Sequence, residues 1–162
     1  MRIGIISDTH DDRQALDQAL GILKAEGIEL LLHCGDLCTP GTMDPLAEFD
    51  TWVARGNMDR HRELGATARR TIGSGRFADT HRLTLEGLSA ILLHGHRQEE
   101  LRSIISAGTY VYVFHGHTHR PRDQRVGPTR IINPGALGGT RWQRRSFCIF
   151  DPTADEVDFR MV

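Results

Sequence analysis

Thr109-Tyr110-Val111-Tyr112-Val113-Phe114 runs directly into His115-Gly116-His117-Thr118-His119, and three of the chain's nine histidines fall in those last five residues. The first string is aromatic and β-branched and reads as a buried strand. The histidines therefore stand where a strand ends and a loop begins. Residues i and i+2 of extended chain point the same way, so His117 and His119 can face one cavity. Gly116 lets the backbone approach closely. Imidazole is the commonest protein ligand for metals. A solvated polar loop is the plainer reading, and the remaining strand ends decide between the two.

Working outward, the same design repeats. Arg2 to Ser7 is a short apolar run, as expected of a strand covered on both faces, and it ends at Asp8-Thr9-His10. Asp11 or Asp12 can cap a helix in which Leu16, Ala19, Leu20 and Leu23 recur at helical spacing, with Gly27 as its stop. Ile28 to His33 is a second strand ending at Cys34-Gly35-Asp36, which completes a right-handed βαβ unit. Pro40-Gly41 marks a loop, with a short helix through Pro45, Leu46 and Ala47. Thr51 to Ala54 ends at Gly56-Asn57-Met58-Asp59. His81 to Leu85 and Ser89 to Leu93 form a hairpin ending at His94-Gly95-His96. A helix through Leu101, Ile104 and Ile105 closes at Gly108. Strands at Thr129 to Ile132, Ser146 to Asp151 and Glu156 to Met161 complete the chain. Arg60 to Asp79 carries no clear periodicity. The expectation is an α/β fold of two mixed β-sheets packed as a sandwich flanked by helices, with residues 1–162 as one domain.

At 162 residues, 39% hydrophobic and 25% charged, the composition is that of an ordinary globular domain. A net charge of −1 leaves no broad cationic field for nucleic acid or an anionic membrane. Cys34, Cys38 and Cys148 are odd in number and show no disulfide framework. With no signal-like start and no membrane-length apolar run, a cytoplasmic location is expected.

The strand ends together offer two carboxylates, one amide oxygen and four imidazoles: Asp8, His10, Asp36, Asn57, His94, His117 and His119. Two metals sharing a carboxylate would use all seven. A mixed oxygen and nitrogen set without thiolate suits Mn²⁺, Fe or Zn²⁺ better than Ca²⁺. Hydrogen-bonded turn residues are the bland alternative for each position taken singly. Cys34 and Cys38 are read as core, His33 and His115 as structural, and His61 and His81 as solvated. Arg13, Arg60, Arg97 and Arg120 are taken as surface residues, any of which could grip a phosphate.

The ordered set D-x-H, G-D, G-N-x-[DE], H-G and G-H-x-H, spread from Asp8 to His119, resembles the calcineurin-like metallophosphoesterases. The length and the H-G-H and N-P-G strings look like the small bacterial and archaeal phosphodiesterase branch. The resemblance implies the four-layer αββα fold and two divalent ions per chain, manganese before iron, zinc or nickel. Asp8, His10 and His119 would hold one ion, Asn57, His94 and His117 the other, and Asp36 would bridge them. A bridging hydroxide would attack phosphorus in line with the leaving alkoxide. Many larger relatives place a histidine after G-N, where this chain has Met58, so His96 and Asp59 become candidates for the catalytic proton donor, with a metal-bound water as another. The implied substrate is a small phosphodiester or nucleotide-like ester, with a homo-oligomer possible. A phosphomonoesterase or nucleotidase, or a non-catalytic protein-binding scaffold such as one eukaryotic trafficking-coat branch, is the alternative. A scaffold has no need of seven intact ligands.

Overall fold

The computed structural model describes residues 1–139 and 143–162. In chain order the elements are β1 (Ile3–Ile6), α1 (Arg13–Ala25), β2 (Leu30–His33), two short 3₁₀ turns (Pro40–Thr42 and Asp44–Glu48), β3 (Asp50–Ala54), α2 (Leu64–Thr71) and β4 (Phe77–Ala78). There follow β5 (Thr80–Leu85), β6 (Leu88–Leu93), α3 (Gln98–Ala107), β7 (Tyr112–Phe114), β8 (Arg122–Val126), β9 (Thr129–Asn133), β10 (Ser146–Asp151) and β11 (Glu156–Met161). One sheet has the order β11-β10-β1-β2-β3-β4 and the other β5-β6-β7-β9-β8. Both are mixed. β1, β2, β3 and β4 run parallel, whereas β10 and β11 pair antiparallel at one edge. In the second sheet β6, β7 and β9 are parallel between two antiparallel edges.

Strand alternation divides the core into layers. Ile3 and Ile5 of β1, with Leu32 of β2 and Phe150 of β10, face the second sheet, where they meet Leu92 and Phe114. Ile6 faces the other way, with Leu16, Leu20 and Leu23 of α1. A third cluster seats Leu101 of α3 on Ile91, Val113 and Ile131. The result is helix, sheet, sheet, helix, as the sequence implies. Asp12 caps α1 by accepting from the Ala15 N–H at 3.0 Å, which settles the choice between two aspartates.

Three elements escaped the sequence reading. α2 is short, and only Leu64, Thr67 and Ala68 are buried, too few to show a period. β4 has two residues. β8 is a polar edge strand, Arg-Asp-Gln-Arg-Val, whose backbone pairing with β9 leaves no hydrophobic alternation to read. Two side-chain expectations are also corrected. His81 is buried, not solvated: β5 points it inward, where Nε2 donates to the Val53 carbonyl at 2.8 Å. Cys38 is only half-buried and lies outside the core, with Sγ 3.5 Å from Nδ1 of His10. Cys34 is core as expected.

Candidate metal centre

β1, β2, β3, β6 and β7 are parallel neighbours within their sheets, so their C-terminal ends deliver the five polar strings to one rim of the sandwich. The loops then turn sharply. Asp8, His10, Asp36, His117 and His119 all have positive φ, between 45° and 65°. Each such non-glycine residue costs on the order of 1 kcal/mol, and such strain gathers at functional sites.

The close approach of the loops depends on two glycines. A Cβ at Gly116 would stand 1.9 Å from Ser7 Oγ and 2.6 Å from Asp8 Oδ2. A Cβ at Gly56 would stand 2.0 Å from Asp36 Oδ1. Neither position tolerates a side chain without moving a carboxylate.

Asp8 is fully buried. Its Oδ2 accepts from Ser7 Oγ–H at 2.5 Å and from the His117 N–H at 3.0 Å. Its Oδ1 is buried and has no hydrogen-bond partner among the described residues, although His119 Nε2 lies 3.2 Å away and His10 Nε2 3.8 Å away. The two histidine Nε2 atoms are 3.2 Å from each other. His119 Nδ1 donates to Gln143 Oε1 at 3.0 Å, so its Nε2 turns a lone pair towards Asp8. Asp36 Oδ1 accepts from the Met58 N–H, and its Oδ2 faces His94 Nε2 at 3.4 Å and His10 Nε2 at 3.8 Å. His94 Nδ1 donates to the Cys34 carbonyl at 2.8 Å, so its Nε2 lone pair meets Asp36 Oδ2 and, at 3.1 Å, Asn57 Oδ1.

Lone pairs thus converge on lone pairs, with a buried carboxylate oxygen left unmatched. A divalent cation resolves that conflict, and the donor set of carboxylate, imidazole and amide oxygen fits one. Asp8, His10 and His119 offer atoms within 4.8 Å of one another, and so do Asp8, Asp36 and His94. Asp8 belongs to both groups, and Asp36 reaches histidines of both. His117 stands beside the second group, its ring 5.1 Å from that of His94.

The electrostatics agree with a site that wants positive charge. Until a cation takes the site, a proton on His94 Nε2 stands in for it: burial pushes the Asp36 carboxyl up, but the hydrogen bond and charge of that imidazolium outweigh it and hold it below the usual range. Burial pushes His94 down, yet Asp36 and Asp8 raise it overall. Asp8 raises His119 against the cost of its burial. His96 and His117 are lowered, mainly by burial and then by their cationic neighbours.

Of the two proton-donor candidates, only His96 faces this cluster. Its ring lies 5.4 Å from His94 and 6.3 Å from His117, and its Nδ1 is buried without a partner among the described residues. In the structure Asp59 serves as a clamp. Its Oδ2 accepts from the N–H groups of Asp36 and Gly56, and its Oδ1 from that of Cys38. Both oxygens are consumed holding the β2 and β3 loops together. The sequence could not separate this role from catalysis, because both call for an acid at that place. Ser7 and Gln143 were missed altogether, and Asn133 was noticed only as part of the N-P-G string. Asn133 donates to the Gly116 carbonyl at 2.8 Å and to Thr118 Oγ1 at 3.1 Å, bracing the loop that carries His117.

Behind the site, His33 Nδ1 accepts from the Gly35 N–H and Nε2 donates to Thr9 Oγ1 at 2.8 Å. Complete burial pushes this imidazole down from 6.5 to about 4. The unfolded chain therefore binds a proton that the folded chain refuses. The stability held by neutral His33 is complete above pH 6.5 and is lost as pH falls towards 4, a loss of about 3 kcal/mol. Melting of chelator-treated protein from pH 7 to 4 should show that loss, and His33→Gln should flatten it. Parallel profiles for the two proteins would contradict the assignment.

Residues 1–155 match the family model of the Calcineurin-like phosphoesterase superfamily domain. A phosphodiesterase of Methanocaldococcus jannaschii is 32% identical over 145 residues, covering 86% of each chain. The structure of an archaeal protein described as a novel phosphodiesterase superposes with a TM-score of 0.90 at 28% identity, covering both chains fully. A phosphoesterase of E. coli shares the fold at a TM-score of 0.70 and 18% identity, covering 100% of this chain and 98% of its own. With its polar strand ends gathered on one rim and this family model spanning nearly its whole length, the chain belongs to the calcineurin-like phosphoesterase superfamily.

Proposed function

We propose that this chain is a dinuclear metal-dependent phosphodiesterase acting in the cytoplasm on a small phosphodiester or nucleotide-like ester. The observation that carries the reading is the unmatched Asp8 Oδ1 amid converging acceptors, with Asp8 and Asp36 between two groups of histidines. Asp8, His10 and His119 would hold one divalent ion, Asn57, His94 and His117 the other, and Asp36 both. Manganese is the first expectation, with iron, zinc or nickel as alternatives. When bound, such ions lower the pKa of water and neutralise charge growing on phosphoryl oxygens.

The chain's own contribution is orientation and proton handling. The Cys34 carbonyl fixes the ring of His94, and Gln143 fixes that of His119. Ser7 and the His117 N–H aim Asp8. Asp59 locks the loop of Asp36 to that of Asn57. His96, the candidate donor beside His94 and His117, would in its protonated form hand a proton to the departing alkoxide and become the neutral imidazole, so activity on a poor leaving group should fall as pH rises.

The test is turnover of an aryl phosphodiester and the matching monoester by chelator-stripped protein, to which Mn²⁺, Ni²⁺, Zn²⁺ or Mg²⁺ is returned in turn. The diester should be the better substrate and turnover should require metal. Preference for the monoester would replace the substrate class, and metal-independent turnover would overturn the mechanism. His96→Ala should lose about tenfold on a diester with alkyl arms and less on nitrophenyl arms, whose anions leave without a proton. Metal content should not change. Equal losses on both would remove His96 from proton transfer.

A further inference from the structure

A groove leaves the metal centre on the side of His117. It consists of two adjoining hollows, of about 360 and 400 Å³, which share His115, Thr118 and Arg122. The larger part of the first wall is apolar, from Leu101 and Ile105 of α3, whose other faces pack on the second sheet. Gly95 and His117 close its inner end, and both belong to the loops that carry the candidate ligands. The second hollow runs past Arg120 to Gln143, the residue that orients His119. The groove is thus continuous with the site.

Its charge is unusual for a chain of net charge −1. Arg102, Arg120 and Arg122 all line it. Arg102 bonds Gln98, and Arg122 bonds Gln124 through Nε and Nη2. Among the described residues none of the three forms an ion pair with a carboxylate. Arginines elsewhere commonly do: Arg13 pairs with Asp17, Arg97 with Asp79 and Arg130 with Asp123. An apolar face and guanidinium groups that have no carboxylate partner among the described residues, Arg102 and Arg122 being held by neutral glutamines, describe a place for an organic anion.

We infer that this groove seats one organic arm of the phosphodiester, and that the arm carries an apolar or aromatic face together with a second anionic group, a carboxylate or a phosphate. The inference rests on the phosphodiesterase reading above. Leu101 and Ile105 would cover the face of the arm. Arg102 and Arg122 would take the anion, in the paired geometry that suits guanidinium. The size of the first hollow suits a group about as large as a nucleobase with its sugar. The scissile phosphate would remain beside His117.

The experiment compares two diesters of 4-nitrophenol, one with a 4-carboxyphenyl arm and one with the isosteric, neutral 4-carbamoylphenyl arm. Bis(4-nitrophenyl) phosphate is measured alongside with metal-loaded enzyme. The carboxylated diester should show about tenfold higher kcat/KM than the amide, through KM, the effect expected of a charge-assisted contact. Arg102→Gln combined with Arg122→Gln should bring that ratio near one, whereas Arg69→Gln on α2 should leave it intact. Equal use of the two diesters, or a preference that survives the double substitution, would overturn the inference. Inert bis(4-nitrophenyl) phosphate would instead remove the phosphodiesterase reading, and this inference with it.

Discussion

Asp36→Asn should abolish turnover, by about 10³-fold or more, while the protein stays folded. The substituted amide can still accept from the Met58 N–H through its oxygen, as Asp36 Oδ1 does at 2.8 Å. Its amino group can donate to the His94 Nε2 lone pair, 3.4 Å from the present Oδ2. What disappears is the charge that faces His10 and His94 together. Without it the second cation group retains only Asp8 as its carboxylate. Metal analysis should show fewer ions per chain. The rise in melting temperature on adding Mn²⁺ to stripped protein should shrink, because ligand stabilisation follows affinity. The metal-free variant should melt no lower than the metal-free parent, since a buried charge has been removed from a crowded site. Full metal content with normal turnover would show that Asp36 is not a shared ligand.

Gly56→Ala should be nearly as damaging, for a purely steric reason. Gly56 has no positive φ, so alanine suits its backbone. The added methyl, however, would meet Asp36 Oδ1 at 2.0 Å and the Asp36 nitrogen at 2.5 Å. The nitrogen is backbone, and Oδ1 is pinned by the Met58 N–H at 2.8 Å. Asp36 N also donates to Asp59 Oδ2, as does Gly56 N, so the two loops cannot separate without breaking the clamp. The expected result is a loss of about 2 kcal/mol of stability, within the range for overpacking. Activity should fall by about 10²–10³-fold, because misplacing a catalytic group by an ångström costs that much. Gly21→Ala is the matched control. It lies inside α1 with nothing within 4 Å of the added carbon, and it should gain about 0.5–1 kcal/mol. Equal melting temperatures for parent, Gly56→Ala and Gly21→Ala would contradict the packing described for the β2 and β3 loops.

Much of this site was legible because its chemistry resides in residue types. Aspartate and histidine are the side chains that bind hard and borderline divalent ions, and their spacing at five strand ends can be read directly. The sandwich was legible for a similar reason: continuous apolar runs in β1 and β10, buried on both faces, and period-3.6 burial in α1 leave their patterns in the order of residues. Where burial is slight the pattern fades, and α2, β4 and β8 went unread.

The tertiary structure decided everything that depends on which way a group faces. Asp59 and Asp36 are both aspartates after a glycine-bearing turn, yet Asp59 spends its oxygens on three backbone N–H groups, whereas Asp36 points its Oδ2 at two histidines. The positive φ of Asp8, His10, Asp36, His117 and His119 is imposed by loops meeting at Gly56 and Gly116, contacts between residues far apart in the chain. The groove follows the same rule. Arg102 on α3 and Arg122 on β8 are twenty positions apart and look like ordinary surface arginines in sequence. Only the packing of α3 and β8 about the His117 loop brings their charges to one wall. Sequence determined which atoms could bind a cation; tertiary contact determined where their lone pairs point, because direction is a property of the folded backbone and not of any residue by itself.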